Sequence, residues 1–160
     1  MRIAAIDVGS NSIHLVVVET DSMGNQRVLA REKHMVRLGK GLLKGNQIEP
    51  QAFQAGLETL ALMAEVIRGL QCETVLACGT AALREADNAD HFVREAGLLG
   101  IPIRVISGEE EASLIYLAVS RAIPFPEAPT VLLDIISVTK ENLRETVVKD
   151  GFREEADVFQ

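Results

Sequence analysis

The chain opens on short apolar runs and passes, after about residue 50, to apolar residues spaced at three and four. Ile3, Ala4, Ala5 and Ile6 form the first run, and residues 13–18 form a second that is rich in β-branched side chains. Between them Asp7-Val8-Gly9-Ser10-Asn11-Ser12 is rich in turn formers, so the two runs predict a hairpin. Asp21-Ser22-Met23-Gly24-Asn25 marks the next turn, with a third strand expected over 26–36 and a loop around Gly39, Gly41 and Gly45. Pro50 suits a first helical position, and Phe53, Leu57, Leu60, Ala64 and Ile67 give one apolar helix face that Gly69 ends. A buried strand is expected over 74–77. A helix capped by Asn88 should follow, carrying Phe92 and Ala96, and then a strand over 101–106 whose Pro102 fits only near its start or on an edge. Ser107-Gly108-Glu109-Glu110 has the form of a capping box, and Ala112, Ile115, Tyr116 and Val119 predict the buried stripe of a long helix behind it. Residues 131–133 read as the last strand. Three consecutive strands followed by alternating helix and strand predict an α/β fold, a mixed sheet with helices on both faces.

Composition narrows the class. The 160 residues suffice for one sizeable core, and 48% apolar with 24% charged residues is ordinary for a globular domain. No apolar run approaches the roughly 18 residues of a membrane helix, and the N-terminus lacks the long apolar stretch of a signal peptide, so a cytoplasmic protein is expected. Cys72 and Cys78 flank a predicted strand at a separation on the order of 20 Å, beyond disulfide reach, and are expected to be buried thiols. His14, His34 and His91 are scattered, without metal-ligand spacing. The net charge of −7 argues against a general nucleic-acid binder. Yet Arg27, Arg31, Lys33, Arg37, Lys40 and Lys44 fall together with Glu32 as the one acid among them. That stretch is either a solvated strand and loop or an attractive mouth for a polyanion.

Three local patterns carry chemistry. Asp7 ends an apolar strand and leads into Gly9, Ser10, Asn11 and Ser12. Such a turn can point backbone N–H groups at a phosphate while the carboxylate holds Mg²⁺ or its water, although it also makes a good plain hairpin. In CGTAALR (78–84) a strand runs through a glycine into a short helix, placing Arg84 where a guanidinium could clamp phosphate oxygens or simply face solvent. Glu109, Glu110 and Glu111 stand on a first helical turn, where the helix dipole alone favours acids, and where a carboxylate is also well placed to activate water.

Taken together, DVGSNS, GTAALREA and ISGEEEASLIYLAV resemble, in order and spacing, the exopolyphosphatase/guanosine pentaphosphate phosphohydrolase (Ppx/GppA) family over residues 3–134. The resemblance implies the actin-like (RNase H-like) ATPase fold, with an active site in a cleft between two domains. It implies Mg²⁺-dependent hydrolysis of terminal phosphoanhydrides in inorganic polyphosphate or guanosine pentaphosphate. Asp7 and Ser10 to Ser12 would then form the first phosphate loop, Arg84 would bind phosphate, and Glu111 would be the general base. Arg37-Leu38-Gly39 also matches a recurrent family stretch and brings the basic cluster near the mouth.

The match breaks at the family's second loop, DIGGGSTE, where this chain has Asp134-Ile135-Ile136-Ser137-Val138-Thr139-Lys140-Glu141. The terminal acids align but the glycines are gone, so Asp134 stays the weaker metal candidate and Glu141 is assigned no role. A first domain over 1–134 and a divergent tail over 135–160, with one short helix from Thr139, are expected. An incomplete cleft should be weak or inactive alone, and its exposed face invites a homodimer. Two other functions remain open: an actin-fold sugar kinase or ATPase, and a non-catalytic module holding polyphosphate or a nucleotide.

Overall fold

Side chains alternate across each strand, and that alternation sorts the first residues into a core face and an open face. The computed structural model describes residues 1–122, which lie within one unit, Met1–Ile123. In β1 (Arg2–Val8) the buried residues are Ala4, Ile6 and Val8, and in β2 (Ser12–Thr20) they are Ile13, Leu15 and Val17. β3 (Gln26–Met35) completes an antiparallel meander, with a register shift at Val17/Val18. The turn before β3 is fastened by Asp21, whose carboxylate accepts from the backbone N–H of Met23 and Asn25, both at 2.9 Å, as the turn residues there predicted.

After β3 come a 3-10 turn (Leu38–Gly41), a short α1 (Leu42–Gly45) and α2 (Pro50–Gly69), with proline in the first turn as expected. β4 (Thr74–Gly79) pairs parallel with β1, and β5 (Ile103–Val105) pairs parallel with β4. α3 (Ala81–Glu85) and α4 (Ala89–Leu98) lie between them, and α5 (Gly108–Ala122) follows. The five strands take the order β3-β2-β1-β4-β5, a mixed sheet. The expected α/β class is borne out. β5 is shorter than expected, which fits Pro102, since a residue without an N–H cannot extend the ladder.

The core face of the sheet packs under α2 and α4. There Phe92, Leu60 and Met63 are fully buried, and Phe53 meets Phe92 edge-on with ring centroids 5.2 Å apart. The buried face of α2 is rotated from the expected one. Gly56 and Thr59 are buried while Phe53 and Leu57 are only half-buried, because a Cβ at Gly56 would stand 2.8 Å from Cε2 of Phe92. α2 therefore approaches α4 through its small residues.

Three expectations need correction. Asn88 does precede α4 but makes no side-chain cap. Its amide instead accepts from the Ile48 N–H at 2.9 Å and donates to the Ile48 carbonyl at 3.1 Å, tying the loop before α2 to the start of α4. In α5, Ile115, Tyr116 and Val119 are exposed rather than buried, and Ala112 is half-buried, since no described element covers that side of the helix. Cys72 and Cys78 are free thiols but half-buried. The strand expected over 131–133, Asp134, the boundary after it and the helix from Thr139 lie outside the described residues.

Candidate active site

The parallel strands β1, β4 and β5 all end on one edge of the sheet, where ligands gather in open α/β folds. Asp7 is the penultimate residue of β1 and points to the open face, in register with His14 on β2 and Cys78 on β4. The next residues form the hairpin tip. Gly9 donates to the Ser12 carbonyl at 3.1 Å, and a Cβ at Gly9 would meet that same oxygen at 3.0 Å, so the turn closes tightly only on glycine.

The loop is held from behind. The Asn11 carbonyl accepts from the N–H groups of Val36 and Arg37, and the Ser10 carbonyl accepts from Gly39 at 2.9 Å. Arg37 adopts a left-handed backbone, φ 60° and ψ 47°, at a cost of about 1 kcal/mol for a non-glycine residue. With the carbonyls turned toward this support, the N–H groups of Ser10 and Asn11 have no acceptor among the described residues. A pair of adjacent free N–H groups beside a hydroxyl is an anion-binding geometry.

Arg84 arrives from β4 and α3. Gly79 hands over to Thr80, whose N–H donates to the Val8 carbonyl at 3.2 Å and whose own carbonyl accepts from Leu83 and Arg84. One guanidinium nitrogen, Nη1, then donates both to the Ile106 carbonyl at 3.0 Å and to Oε2 of Glu111 at 2.9 Å. Its Nη2 and Nε make no hydrogen bond among the described residues, and so keep donors for a further anion.

The glutamates at the start of α5 divide their work. The backbone N–H of Glu110 donates to Ser107 Oγ at 3.1 Å, one half of the capping box, but its carboxylate accepts from Arg104 at 2.9 Å instead of folding back. That ion pair holds the Glu110 carboxyl below its ordinary range. Glu111 faces the site. With Asp7, His14 and Thr80 it lines a cleft of about 480 Å³ between the open sheet face and α5, whose remaining walls are mainly apolar. Burial pushes the Asp7 carboxyl up, the charge of His14 opposes this and that of Glu111 adds to it. The two carboxylates thus feel one another across the cleft.

Every expected site residue among the described ones falls at this edge: Asp7, Gly9, Ser10, Asn11, Ser12, Arg84 and Glu111. Two more residues join them. Thr80 lies at the handover to α3, and His14 sits beside Asp7 with Nε2 2.8 Å from Ser12 Oγ. The signal for His14 was present, because a hairpin with its tip at Ser10 and Asn11 pairs residue 7 with residue 14.

A model of the Ppx/GppA phosphatase family matches residues 16–136. The chain belongs to that family. Over 118 residues this Ppx/GppA chain is 45% identical to the guanosine-5'-triphosphate,3'-diphosphate pyrophosphatase of Vibrio vulnificus strain YJ016, an alignment covering 73% of this chain and 24% of that one. Two solved structures are similar in fold. A Ppx/GppA family member from Aquifex aeolicus superposes with a TM-score of 0.72 at 27% identity, over 77% of this chain and 40% of the other. An exopolyphosphatase from Cytophaga hutchinsonii ATCC 33406 gives 0.73 at 32% identity, over 78% and 40%. The chain thus spans about a quarter of the length of that Vibrio relative and two fifths of these structures. The actin-like first-domain architecture expected from the resemblance is borne out.

Proposed function

We propose that this chain is the phosphate-binding first domain of a hydrolase that removes the terminal phosphate from inorganic polyphosphate or guanosine pentaphosphate. The observation that carries the reading is the convergence at one sheet edge of two N–H groups and a guanidinium, all with donors uncommitted among the described residues, and of two carboxylates, Asp7 and Glu111, that line one cleft. Relatives named as a pyrophosphatase of guanosine-5'-triphosphate,3'-diphosphate and as an exopolyphosphatase support the substrate class.

In this reading the terminal phosphate rests on the N–H groups of Ser10 and Asn11 and the hydroxyls of Ser10 and Ser12. Arg84 turns its free Nη2 and Nε toward the same phosphate. As the phosphate draws the guanidinium, the Oε2 of Glu111 that had accepted from Arg84 is released to accept from water. Its carboxylate takes a proton from water as the water oxygen attacks phosphorus, and the shortened chain leaves with the electrons of the bridging bond. Donors fixed before the reaction stabilise the developing negative charge without reorganising.

Among the described residues no group of three or more metal-ligating side chains converges. Mg²⁺ does not need one, since one or two carboxylates with substrate phosphates and water satisfy it. Asp7, at the end of β1 on the cleft, fits such an ion, which when bound would neutralise charge on the phosphates.

Calorimetric titration of the chain with tripolyphosphate and Mg²⁺ tests the reading. Binding that is lost in both Gly9→Val and Arg84→Ala is expected. Equal affinity of both variants and the unmutated chain would return the loop to a plain hairpin. The alternative of a sugar kinase or ATPase predicts tighter binding of ATP than of tripolyphosphate.

A further inference from the structure

The row of residues that contains Asp7 extends across the sheet. Cys78 on β4 and His14 on β2 flank Asp7, and Lys33 on β3 is paired with His14. Alternation along β3 then sets Arg31 opposite Val16 and Met35 opposite Ser12, on the same face. This is the open face, since the buried residues of β1 and β2 point the other way.

Arg31 and Lys33 are both exposed, and neither forms an ion pair among the described residues. The other described cations of the basic stretch do not share that position. Arg27 is held by Glu19 at 2.7 Å and Lys40 lies 3.8 Å from Glu49, while Arg37 sits behind the phosphate loop. Glu32, the acid of the stretch, alternates to the opposite face, where it meets His34 at 3.2 Å. Within β3 the acid is turned away from the site and the free cations are turned toward it.

Strand geometry gives the scale. Strands about 4.8 Å apart put Lys33 roughly 10 Å from Asp7, and Arg31 stands about 6.6 Å further along β3. These distances are too long for one terminal phosphate and suit the following units of a chain.

We propose that Arg31 and Lys33 form a track that carries the distal phosphates of an extended inorganic polyphosphate whose end occupies the loop at residues 9–12. The inference rests on the reading of that loop as a phosphate site. The row favours a bare phosphate chain over a single-stranded nucleic acid. It offers no Phe, Tyr or Trp on which bases could stack, and the net charge of −7 confines attraction to this strip.

Fluorescently labelled long-chain polyphosphate, tripolyphosphate and oligo-dT are titrated against the chain at several salt concentrations. Arg31→Gln combined with Lys33→Gln is compared with a control pair, Arg68→Gln with Arg94→Gln, on the helices over the core face. All four side chains are substantially solvent-exposed, and circular dichroism confirms that each variant folds. The track variant should bind long-chain polyphosphate about tenfold more weakly at low salt, with the slope of log affinity against log salt shallower by about two. Its affinity for tripolyphosphate should stay within twofold, and the control pair should change neither. Unchanged long-chain affinity and slope, or an equal loss for tripolyphosphate, would overturn the track while leaving the loop reading intact. Oligo-dT bound as tightly as polyphosphate, and lost in parallel, would make the strip a general anion patch and overturn the proposal. Failure of the unmutated chain to bind tripolyphosphate would instead overturn the loop reading, and the track with it.

Discussion

Arg84 holds Glu111 at 2.9 Å, and the two side chains are only 28% and 33% exposed, so neither can be changed without altering the other. Arg84→Ala leaves Glu111 without its partner and close enough to Asp7 to repel it, at a cost of about 1 kcal/mol. Glu111→Gln keeps an acceptor for Nη1 and removes the repulsion, so it should cost less, and the double variant should be more stable than the sum of the two predicts. Urea denaturation of the three variants measures this, and strict additivity would show that the pair is not coupled. The removal of charge at Asp7 has the opposite sign. Burial first, and then Glu111, raise its carboxyl in the folded state, so the folded protein holds this proton more tightly than the unfolded one. The contribution of Asp7 to stability is therefore full below the usual carboxylate value of about 3.9 and is lost as pH rises through the raised folded value. At neutral pH, in chelator, Asp7→Asn should raise Tm, and the gain should fade on acidification below about pH 4. A lower Tm for Asp7→Asn at neutral pH would contradict this. A residue that costs stability in order to hold charge in a cleft fits a site better than a scaffold.

At the scale of elements, the strands were legible because their instructions are local. A hairpin tip at Ser10 and Asn11, an aspartate-fastened turn at Asp21 and the alternation of β1 and β2 need no distant partner. Helix faces were less so. α2 was read from its large residues, but the contact with α4 is decided by what it must leave out, and Gly56 is the residue that Phe92 requires. Gly56→Leu should therefore force the two helices apart or turn Phe92 off its rotamer, costing about 1–3 kcal/mol by thermal or urea denaturation. A wild-type midpoint would mean that the helices pack more loosely than 2.8 Å implies. Asn88 was misread for a related reason. A residue at a helix start can cap it, but here the better partner is the Ile48 backbone, forty residues earlier in sequence, and only the tertiary fold reveals it. The site motifs were legible as a family pattern. His14 belongs to no motif, and only the pairing that follows from the hairpin tip at Ser10 and Asn11 sets it beside Asp7 and Ser12.

At the scale of the molecule, the chemistry assembled among the described residues stands on one side of the place a phosphate would occupy. Asp7, the loop at 9–12, Arg84 and Glu111 come from the end of β1, the hairpin tip, α3 and the start of α5, and the cleft that Asp7 and Glu111 line opens to solvent. Its apolar walls are exposed as well, with Leu76 at 56% and Ile115 at 59%. Phosphoryl transfer is catalysed by positioning and by charge stabilisation around the whole phosphate, and water admitted to the site weakens each electrostatic contact in it. Binding asks less, because the N–H groups of Ser10 and Asn11 and the donors of Arg84 are supplied locally. These 160 residues on their own should therefore bind tripolyphosphate yet release phosphate from polyphosphate and guanosine pentaphosphate about 10² or more times slower than a relative of full length, the scale set by missing stabilising donors. Phosphate release would be followed with Mg²⁺, using protein freed of host phosphatases and the Vibrio relative as reference. Turnover near the reference that Glu111→Gln abolishes would contradict the prediction and would point to a second copy of the chain closing the cleft through its exposed apolar face. In that event the specific activity would rise with protein concentration and fall with Ile115→Lys, whereas a site complete within one chain would show neither dependence.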